Sequence, residues 1–396
     1  MATVALALAA CAPQQTRTTS ATAQAVSTPA QAPVQTQGRL LPVGQPAKVA
    51  VLLPLTGRLP EIGQQLMNAS QLALFDLPAN SVELLIKDTG DTPQGAAVAL
   101  QQAVAEGAQF AVGPLFGGQV RAASTVASQA QINLVAFSND LSQRDGYAFF
   151  LGVTPTAQAQ RVVSYAMQQG FTQVAVLAPD TPFGRLSVDG ATAAAVANGG
   201  QIVSTVFYPP QELDLTAQIR ALNPGYQALL VPDAHGRMLI LGPSLVSEGI
   251  TPTTTKLLGS ALWNNPSLLT EPSLQGAWFP SSNPQSFNSF AGRYQEAYGA
   301  PPLPIAAVAY DAVNLAGYLA GQAQSGQADA ALATPGQWVG LDRNSLLNPS
   351  GFRGVDGIFR FEQNGATQRG LAVLAIDPTG FAVVSPAPTS FQPLVN

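Results

Sequence analysis

The sequence predicts an α/β protein built from two doubly wound lobes. The chain has 396 residues, of which 46% are apolar and 10% charged, and this length exceeds the ~250–300 residues at which a single core stops growing. From Lys48 onward, short β-branched runs alternate with longer helical stretches, a pattern typical of a parallel sheet covered on both faces. Because the alternation restarts after residue 151, we expect two similar lobes that face a cleft and are joined by crossing strands.

The first series of elements predicts the first lobe. Strands are expected at 48–54, 82–88, 109–113 and 133–137, and helices near 63–77, 94–106 and 118–130. Two helical segments farther along the chain, 286–299 and 303–323, have no strand series of their own. We therefore assign residues 47–151 and about 280–335 to the first lobe.

The second series predicts the second lobe in the same way. Strands are expected at 173–179, 201–208, 227–233 and 256–260, and helices near 156–169, 184–198, 214–222 and 236–249. The run at 274–282 is expected to be a crossing strand, and the period-2 alternation around Asn364-Gly365 predicts a hairpin. We assign residues 152–279 and about 336–384 to the second lobe, and residues 385–396 to a C-terminal tail.

The N-terminus, "MATVALALAACAPQQ", is an apolar stretch far shorter than the ~20 residues that span a bilayer, and it ends before Cys11. It resembles the lipobox of bacterial lipoproteins. The resemblance implies that residues 1–10 are a signal peptide and that acylated Cys11 anchors the chain in a lipid bilayer. The Lys or Arg usual before such a stretch is absent, which leaves open whether the signal begins upstream. The alternative is an ordinary buried Cys within a signal sequence.

The segment after Cys11 predicts a tether. Residues 12–46 consist mainly of Gln, Ala, Thr, Ser and Pro, a composition that cannot repay the entropy of ordering. We therefore expect residues 11–46 to be a lipidated cysteine followed by a disordered linker.

The charge balance and the scarcity of Cys and His exclude several function classes. The net charge is −5, and the 17 Lys and Arg residues form no basic cluster, so we expect no nucleic-acid partner. One Cys and one His are too few for most structural zinc sites and most catalytic triads. His235 leaves a hydrolase as an alternative, but no Gly-x-Ser-x-Gly motif accompanies it. We expect no enzyme activity, no metal and no cofactor.

The loops after the strands form the candidate site, because such loops line the crevice of doubly wound sheets. The candidates are Thr56, Gly57, Phe116, Gly117, Gly118, Ser138, Asn139, Asp180, Phe183, Asp233 and Trp263. The polar candidates either contact a small-molecule ligand or cap local backbone. Phe183 and Trp263 either sandwich a ligand or pack the cleft shut, and we predict a packed seam with Phe116.

Five segments carry a resemblance to a known fold. They are "VAVLLPLTG", "IKDTGDTPQGAAVALQQAV", "FAVGPLFGG", "AYDAV" and "GVDGIFRFEQNG". Their order and spacing resemble the type I periplasmic-binding-protein fold of the leucine/isoleucine/valine receptors, from Lys48 to Asp377. In the amino-acid receptors of that family, paired Ser or Thr residues after the third strand hold the ligand carboxylate at a helix N-terminus. Here Gly117 and Gly118 stand at those positions, which implies carboxylate binding weaker by about 1.5–3 kcal/mol.

Three longer segments support a narrower resemblance. "GPLFGGQVRAASTVASQAQINLVAFSND", "LAPDTPFGR" and "LWNNPSLLTEPSLQGAWFP" are similar to the lipoproteins called penicillin-binding protein activators. That resemblance implies a non-catalytic protein on the outer membrane that faces the periplasm and contacts a peptidoglycan synthase. The alternative is a solute-binding lipoprotein of an ABC importer for branched-chain amino acids or amide-like ligands.

Overall fold

The computed structural model describes residues 1–2 and 37–391, and its strands form two mainly parallel sheets and a small antiparallel one. The strands are β1 Ala47–Leu53, β2 Val82–Asp88, β3 Phe110–Val112, β4 Leu134–Ala136, β5 Ala148–Phe150, β6 Gln173–Pro179, β7 Gln201–Tyr208, β8 Ala228–Leu230, β9 Lys256–Leu258, β10 Trp278–Ser281, β11 Phe352–Gly354, β12 Gly357–Phe361, β13 Thr367–Arg369, β14 Ala372–Asp377 and β15 Gly380–Ser385. The helices are α1 Pro60–Asp76, α2 Pro93–Ala105, α3 Gly117–Ala130, α4 Pro155–Gln168, α5 Pro182–Ala197, α6 Thr216–Arg220, α7 His235–Ser247, α8 Pro284–Tyr298, α9 Pro304–Gln324 and α10 Arg343–Leu346.

The first lobe is built on five parallel strands in the order β2-β1-β3-β4-β5. Alternate side chains of β1 enter two different cores. Val49 and Val51 pack in the core that includes α1 and α9, whereas Ala50 and Leu52 pack in the core that includes α2 and α3. Helices therefore cover both faces of the sheet, which is why β1 is a continuous apolar run.

The second lobe is built on seven strands in the order β15-β14-β10-β9-β8-β6-β7. The strands from β6 to β10 are parallel, and β14 and β15 add an antiparallel edge. Small side chains such as Ala159 and Ala191 let α4 and α5 pack on one face. Leu222 and Leu241, beside α6 and on α7, belong to the core of the other face. The two doubly wound lobes predicted from the sequence are confirmed.

Three crossings connect the lobes. The chain leaves β5 and enters α4 through residues 151–154, and it leaves β10 and enters α8 through residues 282–283. The third crossing, residues 370–371, joins β13 to β14. Because the chain passes between the lobes three times, residues far apart in sequence meet at the crossings.

The hairpin around Asn364-Gly365 forms as predicted, with β12 and β13 paired antiparallel, but its assignment to the second lobe is wrong. Phe359 and Phe361 pack in the first core, and the ring of Phe361 lies 5.0 Å from that of Phe149 on β5. Leu341 and nearby residues pack in the same core. Only β14 and β15 join the second sheet. The period-2 pattern predicts which hairpin face is apolar, but it does not say which core that face enters.

The linker ends earlier than predicted. Leu41 is buried in the first core, and the guanidinium of Arg39 lies 4.3 Å from the ring centroid of Trp338. Arg39 also donates through its backbone amide to the Gln337 carbonyl, at 2.7 Å. The first lobe therefore includes residues from about 39 onward. The rest of the predicted linker and Cys11 lie outside the described residues, as do residues 392–396 of the predicted tail.

Candidate functional site

The loop after β1 uses its polar atoms to hold a neighbouring loop. The Thr56 hydroxyl donates to Asp88 Oδ2 at 2.6 Å, and the amides of Leu55, Thr56 and Gly90 donate to Asp88 Oδ1 at 2.9–3.2 Å. Burial pushes the pKa of Asp88 upward, but these hydrogen bonds outweigh burial and hold the pKa below its ordinary value. Gly57 has φ +101°, and a Cβ there would lie 2.4 Å from the Asp91 carboxylate. The hydroxyl and the amide of Thr56 are thus both engaged by Asp88.

A carboxylate lies beside the N-terminus of α3. A Cβ placed on Gly117, the first residue of the helix, would lie 2.4 Å from Asp140 Oδ2. The preceding residue, Phe116, is half-buried and gives the helix no side-chain cap. A Cβ on exposed Gly118 would meet only Pro93, at 3.9 Å. The first position therefore needs glycine because Asp140 approaches closely, while the second has free space.

The loop around Asp140 is fixed by its own hydrogen bonds. Asp140 Oδ1 accepts the amide of Ser142 at 3.1 Å and its hydroxyl at 2.6 Å, and the Asp140 amide donates to Ser138 Oγ at 3.1 Å. Exposed Asn139 donates through Nδ2 to the Val153 carbonyl at 3.3 Å, at the first crossing. Ser138 and Asn139 thus bind local backbone in this structure. Of the two roles that the sequence left open for them, ligand contact or backbone capping, the structure shows the second. A carboxylate at a helix N-terminus is favourable because of the helix dipole.

In the second lobe, Asp233 is the centre of a hydrogen-bond network after β8. Its Oδ2 accepts the Tyr208 hydroxyl at 2.5 Å and its Oδ1 accepts the Ala234 amide at 2.7 Å. Its carbonyl accepts the Ser260 hydroxyl and the Trp263 indole, each at 3.1 Å. Burial and then the bond to Asp233 raise the pKa of Tyr208, which keeps this phenol protonated. The network joins the ends of β7, β8 and β9.

Trp263 is not a cleft residue, and the predicted aromatic seam is wrong for it. The side chain is 0% exposed and packs in the core of the second lobe. A Cβ on Gly259 would lie 2.1 Å from the indole ring, so this glycine makes room for it. Among the described residues, no ring contact joins Trp263 to Phe116 or Phe183. The indole N–H of Trp263 donates to the Asp233 carbonyl, so the whole side chain can be buried without an unpaired donor.

The remaining candidates lie at the start of α5. Phe183 is half-buried, and its carbonyl accepts the Ser187 hydroxyl at 2.9 Å. Asp180 pairs with Arg185 at 2.5 Å, and both side chains are about half exposed. An exposed pair of this kind contributes little to stability, so Asp180 is a surface group that a partner or ligand can reach.

Two residues of this region escaped selection from the sequence. Asp140 is the last residue of the quoted segment that ends in "FSND", and Tyr208 is the last residue of a predicted strand. Their positions at strand ends were the available signal, but their partners, Gly117 and Asp233, come from other loops. Only the fold brings these pairs together.

The described residues contain no cluster of three His, Cys, Asp or Glu side chains that could hold a metal ion. His235 is the first residue of α7. None of the helices among residues 1–2 and 37–391 combines the length and the hydropathy of a membrane-spanning segment.

Comparison with known proteins assigns the family. A sequence profile described as periplasmic binding protein matches residues 46–380. The chain belongs to the periplasmic binding protein family. A curated relative in Photobacterium profundum, penicillin-binding protein activator LpoA, is 33% identical over 153 residues. That match covers 37% of this chain and 24% of the relative, so the chain corresponds to about a quarter of the activator's length.

Solved periplasmic binding proteins share the fold over nearly all of their length. A putative branched-chain amino acid ABC transporter protein from Rhodospirillum rubrum is 21% identical, with a TM-score of 0.74 over 86% of this chain and 100% of that one. The leucine binding protein LivK from Thermotoga maritima is 19% identical, with a TM-score of 0.60 over 86% of this chain and 98% of that one. These likenesses establish the two-lobed architecture.

Proposed function

We propose that this protein is non-catalytic and regulates a peptidoglycan synthase by direct protein contact. The observation that carries the proposal is the Asp140 carboxylate beside the first turn of α3. An amino-acid receptor of this fold needs that helix N-terminus for the carboxylate of its ligand. In this chain an internal carboxylate already supplies the negative charge.

The cost to an incoming carboxylate is large. Two unit charges 4 Å apart repel by about 4 kcal/mol at an effective dielectric constant of 20, which corresponds to roughly three decades of affinity. The missing hydroxyls at Gly117 and Gly118 reduce affinity further. A ligand without a carboxylate would avoid this repulsion, but it would still meet a first-lobe wall whose polar atoms Thr56 and Ser138 are engaged internally.

The nature of the partner is proposed from the relative. The 153-residue similarity is to a protein named as a penicillin-binding protein activator, and we propose that the penicillin-binding protein concerned is a peptidoglycan synthase. A regulator of this kind must stay in the cell envelope, which agrees with lipid anchoring through Cys11. We place the protein on the periplasmic side of the outer membrane, because Ala12 follows Cys11 and an aspartate there is the feature associated with inner-membrane retention.

Thermal melting with a panel of amino acids distinguishes the proposed regulator from a solute-binding receptor. The full chain is melted with leucine, isoleucine, valine and other common amino acids in excess. A receptor with micromolar affinity would gain about 4 kcal/mol at a thousandfold excess, or several degrees of Tm. We expect a shift below ~1 °C. A shift of several degrees with any of these amino acids would instead support a receptor.

A solute-binding lipoprotein of an ABC importer is the second candidate. It is favoured by the similarity of fold to binding proteins of such transporters over 86% of the chain. Its ligand would be a branched-chain amino acid or an amide-like solute held between Asp180, Phe183 and the first-lobe loops. The same panel, extended to amides, distinguishes this function from the first.

A further inference from the structure

The three crossings between the lobes meet at one buried cluster of charged side chains, Asp311, Asp356 and Arg369, here called the crossing cluster. Arg369 stands at the third crossing and donates through Nη2 to the Leu151 carbonyl of the first crossing at 2.8 Å. A side-chain hydrogen bond with Ser282 of the second crossing lowers the pKa of Asp356, against the larger effect of burial. One cluster therefore contacts every segment through which the lobes are connected.

Asp311 fixes this cluster to the first lobe. It lies on α9, and its Oδ1 accepts the amide of Val355 at 2.7 Å while its Oδ2 accepts the amide of Asp356 at 3.3 Å. The turn between β11 and β12 packs directly on the carboxylate, since a Cβ on Gly354 would lie 2.2 Å from Asp311 Oδ2. The position of Asp356 thus depends on Asp311.

The charges of the crossing cluster do not balance. Arg369 Nη1 lies 3.9 Å from Oδ2 of Asp311 and 3.9 Å from Oδ2 of Asp356, and it has no hydrogen-bond partner. All three side chains are at most 6% exposed. With both carboxylates ionised, the cluster is a buried group with a net charge of −1, which is costly away from water. One added proton makes it neutral.

We propose that the crossing cluster is a proton-controlled hinge clamp, which holds the three crossings together with one proton bound and loosens when that proton leaves. The groups that act on it come from three elements: Asp311 from α9, Asp356 from the β11–β12 turn and Arg369 from β13. Tyr310, the neighbour of Asp311 on α9, is engaged elsewhere, with Asp76 and Arg293.

The titration of Asp311 places the change near neutral pH. Burial, helped by the charge of Asp356 and opposed by Arg369, raises the pKa of Asp311 to about 7. Burial also raises the pKa of Asp356. A carboxyl whose pKa is higher in the folded chain stabilises the fold fully below its unfolded value, about 3.9. That stabilisation is lost as the pH rises toward 7.

Two readouts on the full chain test the clamp between pH 5.5 and pH 8.5. One is the Tm, and the other is the distance distribution between spin labels at exposed Val98 of the first lobe and Val196 of the second. We expect the wild-type Tm to fall with rising pH by about 3 °C or more, and the distance distribution to broaden. Broadening distinguishes a hinge from a residue that only stabilises the fold.

Asp356→Asn is the decisive variant, because it keeps the size of the side chain and leaves one carboxylate for one guanidinium. We expect its Tm and distance distribution to be nearly independent of pH over this range. Glu106→Gln is the control, since it removes an exposed carboxylate from an ion pair with Lys87, and it should behave as the wild type does. A distribution with the same width at both pH values in the wild type, or a wild-type response in Asp356→Asn, would overturn the proposal.

A second measurement does not depend on any variant folding. In the wild-type chain labelled with ¹³C at aspartate carboxyl carbons, at least one resonance is expected to titrate between pH 6 and pH 8. If every aspartate carboxyl titrates below pH 5.5, the cluster has no proton to release and the clamp is wrong.

Discussion

At the scale of single residues, the closest contact of the candidate site is between Gly117 and Asp140. Gly117→Ala would force its methyl group to within 2.4 Å of Asp140 Oδ2 unless the loop moves. We expect the free energy of unfolding to fall by about 1–3 kcal/mol, measured by urea denaturation. The double variant Gly117→Ala/Asp140→Ala should recover much of this loss.

Gly118→Ala is the matched control for that experiment. It adds the same methyl group one residue later, where the nearest atom is 3.9 Å away. An alanine in a helix is favoured over glycine, so we expect stability that is unchanged or higher by up to about 1 kcal/mol. Equal losses in the two single variants would mean that Asp140 does not occupy the helix N-terminus.

At the scale of elements, the packing of Trp263 distinguishes a core residue from a cleft residue. Trp263→Ala removes a fully buried indole and its bond to the Asp233 carbonyl, and we expect a loss of about 3–5 kcal/mol. Phe183→Ala, at the start of α5 in the same lobe, removes a half-buried ring and should cost about 1 kcal/mol or less. Thermal or urea denaturation measures the stability of both variants. Comparable losses of stability in the two variants would favour the predicted packing of both rings in a seam between the lobes.

The elements themselves could be predicted well from the sequence. Strands at 82–88 and 201–208 have the predicted bounds, and the helix predicted at 303–323 spans Pro304–Gln324, because apolar runs and helical periodicity are local signals. The site could be predicted only in part. The selected loops do follow strands in the structure. The contacts of Asp140 with Gly117 and of Trp263 with Gly259 could not be predicted, because each depends on the folded position of another loop residue.

The same limit applies to the crossing cluster. Asp311 and Asp356 each lie in segments that were quoted from the sequence, "AYDAV" and "GVDGIFRFEQNG", yet nothing local marks them as buried. Arg369 looks like an ordinary hairpin residue in the sequence. Its burial follows from the third crossing, which places β13 against the Leu151 carbonyl.

At the scale of the whole molecule, the proposed function requires the protein to remain bound to a membrane. Cys11→Ser removes the proposed site of acylation, and we expect the protein to move from the membrane fraction to the soluble periplasmic fraction. Fractionation followed by immunoblotting measures this. If the Cys11→Ser variant stays in the membrane fraction at unchanged yield, the lipobox interpretation is wrong. That result would not affect the assignment of the fold or the proposal of a synthase partner.

Direct contact with a peptidoglycan synthase can be measured by crosslinking the protein in intact cell envelopes and identifying the captured proteins by mass spectrometry. A protein that regulates peptidoglycan synthesis by contact should capture a peptidoglycan synthase as its major partner, both with and without added amino acids. The unanchored Cys11→Ser variant is the control for proximity, and it should capture less of the synthase. Capture of an importer permease as the major partner, with no synthase, would contradict the account and establish the solute carrier in its place.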